Sequence, residues 1–153
     1  MTVVKIFSNE MPLETERRSA VLGEAIQIAS KVPSYQRIPV AHMHSWLMPP
    51  ILLNQIMLFY SESGICVGYL SWAYFTADSA DRYVNDRLFI PRLDQWREGP
   101  DLWVVDLACL PGAGNSVVSH FRASVRGRHV NFIRRRAGGG LEKVRKVFVR
   151  SWS

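Results

Sequence analysis

The sequence predicts a single mixed α/β domain, and three observations lead there. At 153 residues with 48% hydrophobic content, the chain is long enough for one sizeable core and leaves little room for a second. Apolar residues recur at helical spacing in some stretches and in dense β-branched and aromatic runs in others. These helix-like and strand-like stretches are interleaved along the chain, without internal repeats, low-complexity tracts or a clear linker.

Each element has its own reason. Pro12 followed by Glu14 and Glu16 reads as a helix start, and Val21, Leu22, Ala25, Ile26 and Ala29 recur at helical spacing, so a helix is expected over roughly 12–30. Pro33 and Pro39 bracket a loop. A second helix is expected from Val40 to Met48, stopped by Pro49 and Pro50. The runs Gln55–Tyr60 and Ile65–Ala73 are separated by Ser61-Glu62-Ser63-Gly64, which predicts a hairpin. Thr76 is placed to cap a helix reaching about Leu88. Leu102–Cys109 is an apolar run with one acid in it and reads as a buried central strand. The loop Pro111-Gly112-Ala113-Gly114-Asn115 leads into a helix expected over Ser116–Val125. Two last strands are expected at His129–Arg135 and Lys143–Val149, around Gly138-Gly139-Gly140.

Composition excludes a disordered chain, a collagen-like fibre and a disulfide-framed mini-protein. The two cysteines, Cys66 and Cys109, sit in apolar runs, as reduced, buried cysteines of an intracellular protein would. No stretch approaches the roughly 20 apolar residues of a bilayer span. Lys5, Glu10, Glu14, Glu16, Arg17 and Arg18 do not form a charge-then-apolar leader. A cytoplasmic domain is the expectation.

The net charge of +6 is unevenly spread. Residues 1–114 hold nine lysines and arginines against twelve acids, whereas residues 115–153 hold ten against Glu142 alone. A basic end of this kind suits an acidic partner: nucleic acid, an anionic membrane surface or an acidic protein. Against nucleic acid, it lacks finger spacing and an aromatic RNP-type strand.

Few motifs carry chemistry. His42 and His44 are two apart, and the cysteines stand alone, so no structural-zinc spacing exists. Phosphate loops of the Gly-x-x-x-x-Gly-Lys and Gly-x-Gly-x-x-Gly types are missing, as is a Gly-x-Ser-x-Gly elbow. The Gly112-Ala-Gly114 loop is a weak candidate for an anion. Ser71-Trp72-Ala73 reads first as core packing at a strand end. Asp106 is the most informative residue: inside Leu102–Cys109 it must be paired or hydrogen-bonded. It is either a structural acid or an acid/base residue.

Several segments together resemble a known family. Gly68-Tyr-Leu-Ser-Trp-Ala-Tyr74, Arg82-Tyr83, Asp94-Gln-Trp-Arg-Glu-Gly99 and Asp101-Leu-Trp-Val-Val-Asp106 follow one another, with Leu22-Gly23, Pro49-Pro50-Ile51 and Asn54-Gln55 upstream. In order and spacing they are similar to the toxin-activating lysine acyltransferases, which fatty-acylate RTX protoxins in the bacterial cytoplasm. The similarity runs from about Leu22 to Val149. It implies a fold like the GNAT acetyltransferases, a twisted mixed sheet flanked by helices, and it matches Asp106 to the catalytic aspartate. The implied acyl donor is acyl carrier protein, with no bound nucleotide cofactor. The implied acceptor is an RTX-type protoxin, and a homodimer is suggested.

Two departures bear on the chemistry. The family's Ser-Pro-x-His segment reads Val32-Pro33-Ser34-Tyr35 here, so Tyr35 stands at the histidine position; the family's Ala-Pro-Phe-Gly reads Cys109-Leu110-Pro111-Gly112. A phenol with a pKa near 10 cannot replace an imidazole with a pKa near 6.5 as base. Tyr35 is instead expected as a general acid or oxyanion donor. Asp106, then His44, then His42, are the candidate bases. Ser71, Trp72, Ala73, Gly112, Arg134 and Arg135 are the expected contacts to the acyl donor. Two other readings stand beside transfer: an inactive relative that binds carrier protein or a toxin-like partner, and a basic nucleic-acid-binding domain.

Overall fold

The computed structural model describes residues 3–7, 14–135 and 141–151. The order is strand β1 (Val3–Phe7), helices α1 (Thr15–Ala29) and α2 (Val40–Leu52), strands β2 (Ile56–Ser61) and β3 (Cys66–Phe75), and helix α3 (Ala77–Asn85). A 3-10 turn (Leu93–Trp96) follows, then strand β4 (Asp101–Cys109), helix α4 (Gly114–Ser124), and strands β5 (Arg128–Arg135) and β6 (Leu141–Val149). All six strands share one sheet in chain order. Every neighbouring pair is antiparallel except β4 and β5, which run parallel.

That parallel pair shapes the molecule. Its ladder holds only Trp103 opposite Asn131 and Val104 opposite Phe132, although β4 runs on to Cys109 and β5 to Arg135. The Asn131 side chain, 7% exposed, donates to the Leu102 carbonyl at 3.1 Å and ties the joined end. Beyond it the strands part.

Alternation along the strands feeds two faces. Leu58, Tyr69 and Ala108 pack against Val21, Ala25, Ile28, Leu47 and Ile51 of α1 and α2. Phe59, Val67, Leu70, Leu102 and Val130 pack against Val117 and Phe121 of α4 on the other face. A third cluster joins Ala73, Phe75 and Trp103 to Tyr83 of α3 and Trp96 of the 3-10 turn.

Local chemistry explains most boundaries. Gly64, with φ +78°, closes the β2–β3 hairpin, where Gly64 N–H donates to Ser61 O at 2.9 Å. Thr76 Oγ1 accepts from Ser79 N–H at 3.2 Å and caps α3. That helix ends at Asn85 rather than near Leu88, because Asp86 is extended and its carboxylate takes the Leu88 N–H at 2.9 Å.

Three expectations need correction. The second helix does not stop at Pro49 and Pro50 but runs through them to Leu52. Burial of Pro50 and Ile51 in the α1–α2 core compensates the two missing N–H donors over one last turn. Strand β1 and the 3-10 turn were not expected, since neither has a long periodic pattern. β1 owes its conformation to pairing with β2, from Val3 opposite Ser61 to Phe7 opposite Leu58. Pro12, Arg136 and Gly138–Gly140 lie outside the described residues.

Candidate active site

Asp106 reaches its place through a β-bulge. Trp103 stands opposite Ala73, and Asp106 stands opposite Ser71. Ala73 and Ser71 are two apart and so share a face, yet Trp103 and Asp106 are three apart. The register shift between Ser71 and Trp72 absorbs the extra residue. Without it, Asp106 would point to the α4 face.

Two phenols converge on the carboxylate. Tyr35 donates its hydroxyl to Asp106 Oδ1, and Tyr69, fully buried, donates to Oδ2 at 2.8 Å. Tyr35 lies in the turns after α1, where its N–H bonds Val32 O at 2.9 Å and its carbonyl accepts from Ile38 N–H at 3.0 Å. Its ring packs against the α1–α2 core. Tyr83 adds a third hydroxyl nearby, donating to Val105 O at 3.2 Å.

Burial raises the Asp106 pKa above the ordinary carboxylate range, opposed by hydrogen bonds from Tyr35, Tyr69 and the Leu107 N–H. Burial, and then the Asp106 charge, drive both phenols above their usual value. Tyr35 and Tyr69 are therefore donors at neutral pH, and Asp106 is a carboxyl poised closer to neutrality than a solvated one.

The carboxylate borders a cleft of about 650 Å³ where β4 and β5 part. Its lining combines the hydroxyl and carboxyl groups of Tyr35, Tyr83 and Asp106 with the apolar Leu70, Phe121 and Phe132, and with Arg122 and Arg134. The volume suits a small-molecule arm. A polar end beside an apolar wall is what an acyl ester or thioester needs.

Other expected site residues fall elsewhere. Neither His42 nor His44 lines this cleft. A helix turns about 100° per residue, so residues two apart diverge. His44 is exposed, and His42 Nε2 accepts from Trp46 Nε1–H at 3.0 Å. Ser71 and Ala73 are fully buried, and Trp72 packs on Phe121 at 6.2 Å between ring centres, so none of the three lines the cleft. β3 is a central strand, covered on both faces. Gly112 has φ +85° and shapes the turn before α4 without lining the cleft. Arg134 does line it; the Arg135 side chain lies outside the described residues. Cys66 and Cys109 are free and half-buried rather than fully buried. Among the described residues no three His, Cys, Asp or Glu are grouped to hold a metal ion, and no helix is long and apolar enough to cross a membrane.

Sequence reasoning missed Tyr69 and Tyr83 as neighbours of the site. Both lie in segments that carry the family resemblance, but no periodicity marks a phenol that will meet a carboxylate 37 positions away.

The sheet with one parted parallel pair, flanked by helices, defines a GNAT-like fold. Among solved structures the chain is similar to the histone acetyltransferase HPA2 and related acetyltransferase from Corynebacterium glutamicum, with TM-score 0.51, 12% identity, and 90% of this chain and 80% of that one covered. It is similarly related to the GphF GNAT-like decarboxylase in complex with isobutyryl-CoA, with TM-score 0.51, 16% identity, and 86% and 66% covered. At these identities the likeness establishes the fold. The chain belongs to the RTX toxin acyltransferase family, whose model matches residues 14–147.

Three relatives agree. The RTX-II toxin-activating lysine-acyltransferase ApxIIC of Actinobacillus pleuropneumoniae is 28% identical over 102 residues, 67% of this chain and 62% of that protein. The lysine-acyltransferase RtxC of Vibrio cholerae is 24% identical over 105 residues, 69% and 68% of the two chains. The protein-lysine myristoyltransferase RtxC of Kingella kingae is 23% identical over 130 residues, 85% and 77%. The match thus spans less than two thirds of the first relative's length.

Proposed function

We propose that this chain is a cytoplasmic protein-lysine fatty acyltransferase. It moves an acyl group from the phosphopantetheine thioester of acyl carrier protein to lysine side chains of an RTX-type protoxin. One observation carries the reading: Tyr35, at the family's histidine position, meets Asp106 in the cleft between β4 and β5.

The reaction needs a proton acceptor, an oxyanion donor and a protonated leaving group. The neutral lysine amine attacks the thioester carbonyl carbon, forming the C–N bond and pushing an electron pair onto oxygen. Asp106 takes the proton that the nitrogen sheds. Collapse of the oxyanion breaks the C–S bond, and Asp106 returns the same proton to the departing thiolate. Its raised pKa brings the carboxyl closer to the operating pH, where such exchange is most efficient. Tyr35 and Tyr69 orient the carboxylate and remain protonated throughout.

Val105, the residue in excess at the bulge, is assigned the oxyanion. Its carbonyl is taken by Tyr83, and its N–H is the backbone donor that the bulge re-aims beside Asp106 in this reading. The apolar wall of Leu70, Phe121 and Phe132 suits the fatty chain.

A second reading, a relative that binds carrier protein without transfer, draws on the loss of the family histidine. The open cleft beside Asp106 favours transfer over it, and a cleft of this kind also argues against a purely nucleic-acid-binding role. The test is intact mass spectrometry of a protoxin fragment mixed with acyl-acyl carrier protein and this protein. One acyl mass gained on a lysine, absent with Asp106→Asn, supports transfer; no gain with a stable carrier complex supports the binding protein.

A further inference from the structure

A second groove, of about 960 Å³, runs between α4 and the end of β6. Ser119 and Arg122 line it from the helix and Arg126 from the turn that follows; Phe148 and Val149 line it from the strand and Arg150 from just beyond its end. Ser119 and Arg122 are three residues apart and share one face of α4, and Arg126 follows in the turn after the helix ends at Ser124. Among the described residues no acid lines the groove, and Arg122, Arg126 and Arg150 form no ion pair. All three are exposed, and Phe148 is 49% exposed.

The groove is continuous with the catalytic cleft. Val118, Arg122 and Val149 line both. A ligand entering over Arg126 and Arg150 therefore reaches the Asp106 cleft past Arg122, through the gap where β4 and β5 part.

We propose that this groove is the docking surface for acyl carrier protein, an inference that rests on the acyltransferase reading. The occupant is a strongly acidic protein whose acyl group hangs on a phosphate-bearing, flexible arm. Such a partner must dock where the arm can reach the reacting carboxylate, and this groove opens there. Exposed arginines complement its acidic surface and steer its approach. Arginine forks match phosphate oxygens in two-point contact. Val118, Phe148 and Val149 cover the apolar length of the arm between phosphate and cleft.

The test uses the full chain with Arg126→Glu and Arg150→Glu together, neither residue lining the Asp106 cleft. Binding of dye-labelled holo-acyl carrier protein is followed by fluorescence anisotropy at several salt concentrations. Turnover with a small acyl thioester of N-acetylcysteamine, which needs no carrier, is measured alongside. The expected result is at least a tenfold loss of carrier affinity, a shallower salt dependence, unchanged melting and small-thioester turnover within twofold of the parent. Unchanged carrier affinity overturns the proposal. So does an equal loss from Arg145→Glu with Lys146→Glu, which lie outside the groove. If the parent binds carrier through Arg126 and Arg150 but transfers no acyl group, docking stands and the transferase reading falls. If it transfers and the variant binds carrier as well as the parent, docking falls and the transferase reading stands.

Discussion

The Tyr35 hydroxyl donates to Oδ1 of Asp106, 71 positions further along the chain. By the resemblance, the phenol stands at the family's histidine position, and its partner is the residue matched to the family's aspartate. An imidazole there would exchange protons near neutral pH, whereas this phenol is held protonated by burial and by the Asp106 charge. In the transfer reaction proposed above, Tyr35 therefore orients the base rather than acting as one.

Tyr35→Phe removes one hydrogen bond that lowers the Asp106 pKa. The acid limb of the transfer pH profile should move to higher pH. Loss of one charge-assisted hydrogen bond, about 1.5–3 kcal/mol, predicts transfer at neutral pH reduced by roughly ten- to a hundredfold. Tyr35→His should keep or raise activity. A Tyr35→His protein as slow as Tyr35→Phe would show that the cleft no longer accommodates the histidine chemistry.

Asp106→Asn should lower transfer by about 10²- to 10⁴-fold while the far-ultraviolet spectrum stays unchanged. Its stability effect depends on pH in a defined direction. Burial raises the folded-state pKa of Asp106 above the unfolded carboxylate value of about 3.9. Between those two values the folded state holds a proton that the unfolded state has released, so the contribution of Asp106 to stability falls as pH rises through that window. The melting temperature of Asp106→Asn minus that of the parent should be larger at pH 7 than at pH 3.5. An identical difference at both would mean an ordinary, solvated carboxylate.

Gly99→Ala should destabilise severely. A Cβ there would lie 1.9 Å from the Phe75 carbonyl carbon and 2.1 Å from the Thr76 nitrogen, and both are backbone. The Gly99 N–H donates to Tyr74 O at 3.0 Å, so the segment cannot retreat without losing that bond. A loss of more than about 3 kcal/mol is expected in urea unfolding. A loss below 1 kcal/mol, on the order of an ordinary surface change, would mean that the 97–99 segment moves freely.

Asn131→Ala removes the side chain that caps the Leu102 carbonyl at the joined end of β4 and β5. A buried carbonyl left without its donor costs about 1–3 kcal/mol. Equilibrium unfolding should show that loss, and amide exchange at Trp103 and Val104 should quicken. Unaltered exchange would place the restraint on this pair elsewhere in the sheet.

Much of the fold was legible because it is written locally. The Ser61–Gly64 turn, the Thr76 cap and the apolar period of α1 each act over a few residues, and each element appears where those features stand. The failures have a common cause. Pro49 and Pro50 read as a helix stop, yet the core that buries Pro50 and Ile51 carries α2 through them. β1 has no pattern of its own and exists through β2.

At the site the division is sharper. A lone acid in the apolar run Leu102–Cys109 announced by itself that Asp106 must find partners, since an unpartnered buried carboxylate is too costly. The ordering of short segments around it pointed to the acyltransferase family. Only the tertiary structure decided that the partners are Tyr35 and Tyr69, that His42 and His44 stand apart, and that a cleft opens beside the carboxylate. The reason is register. One extra residue in β4 turns Asp106 to the face where both phenols wait, and a two-residue alternation carries no mark of where a neighbouring strand will slip. That choice belongs to the packing of the whole sheet.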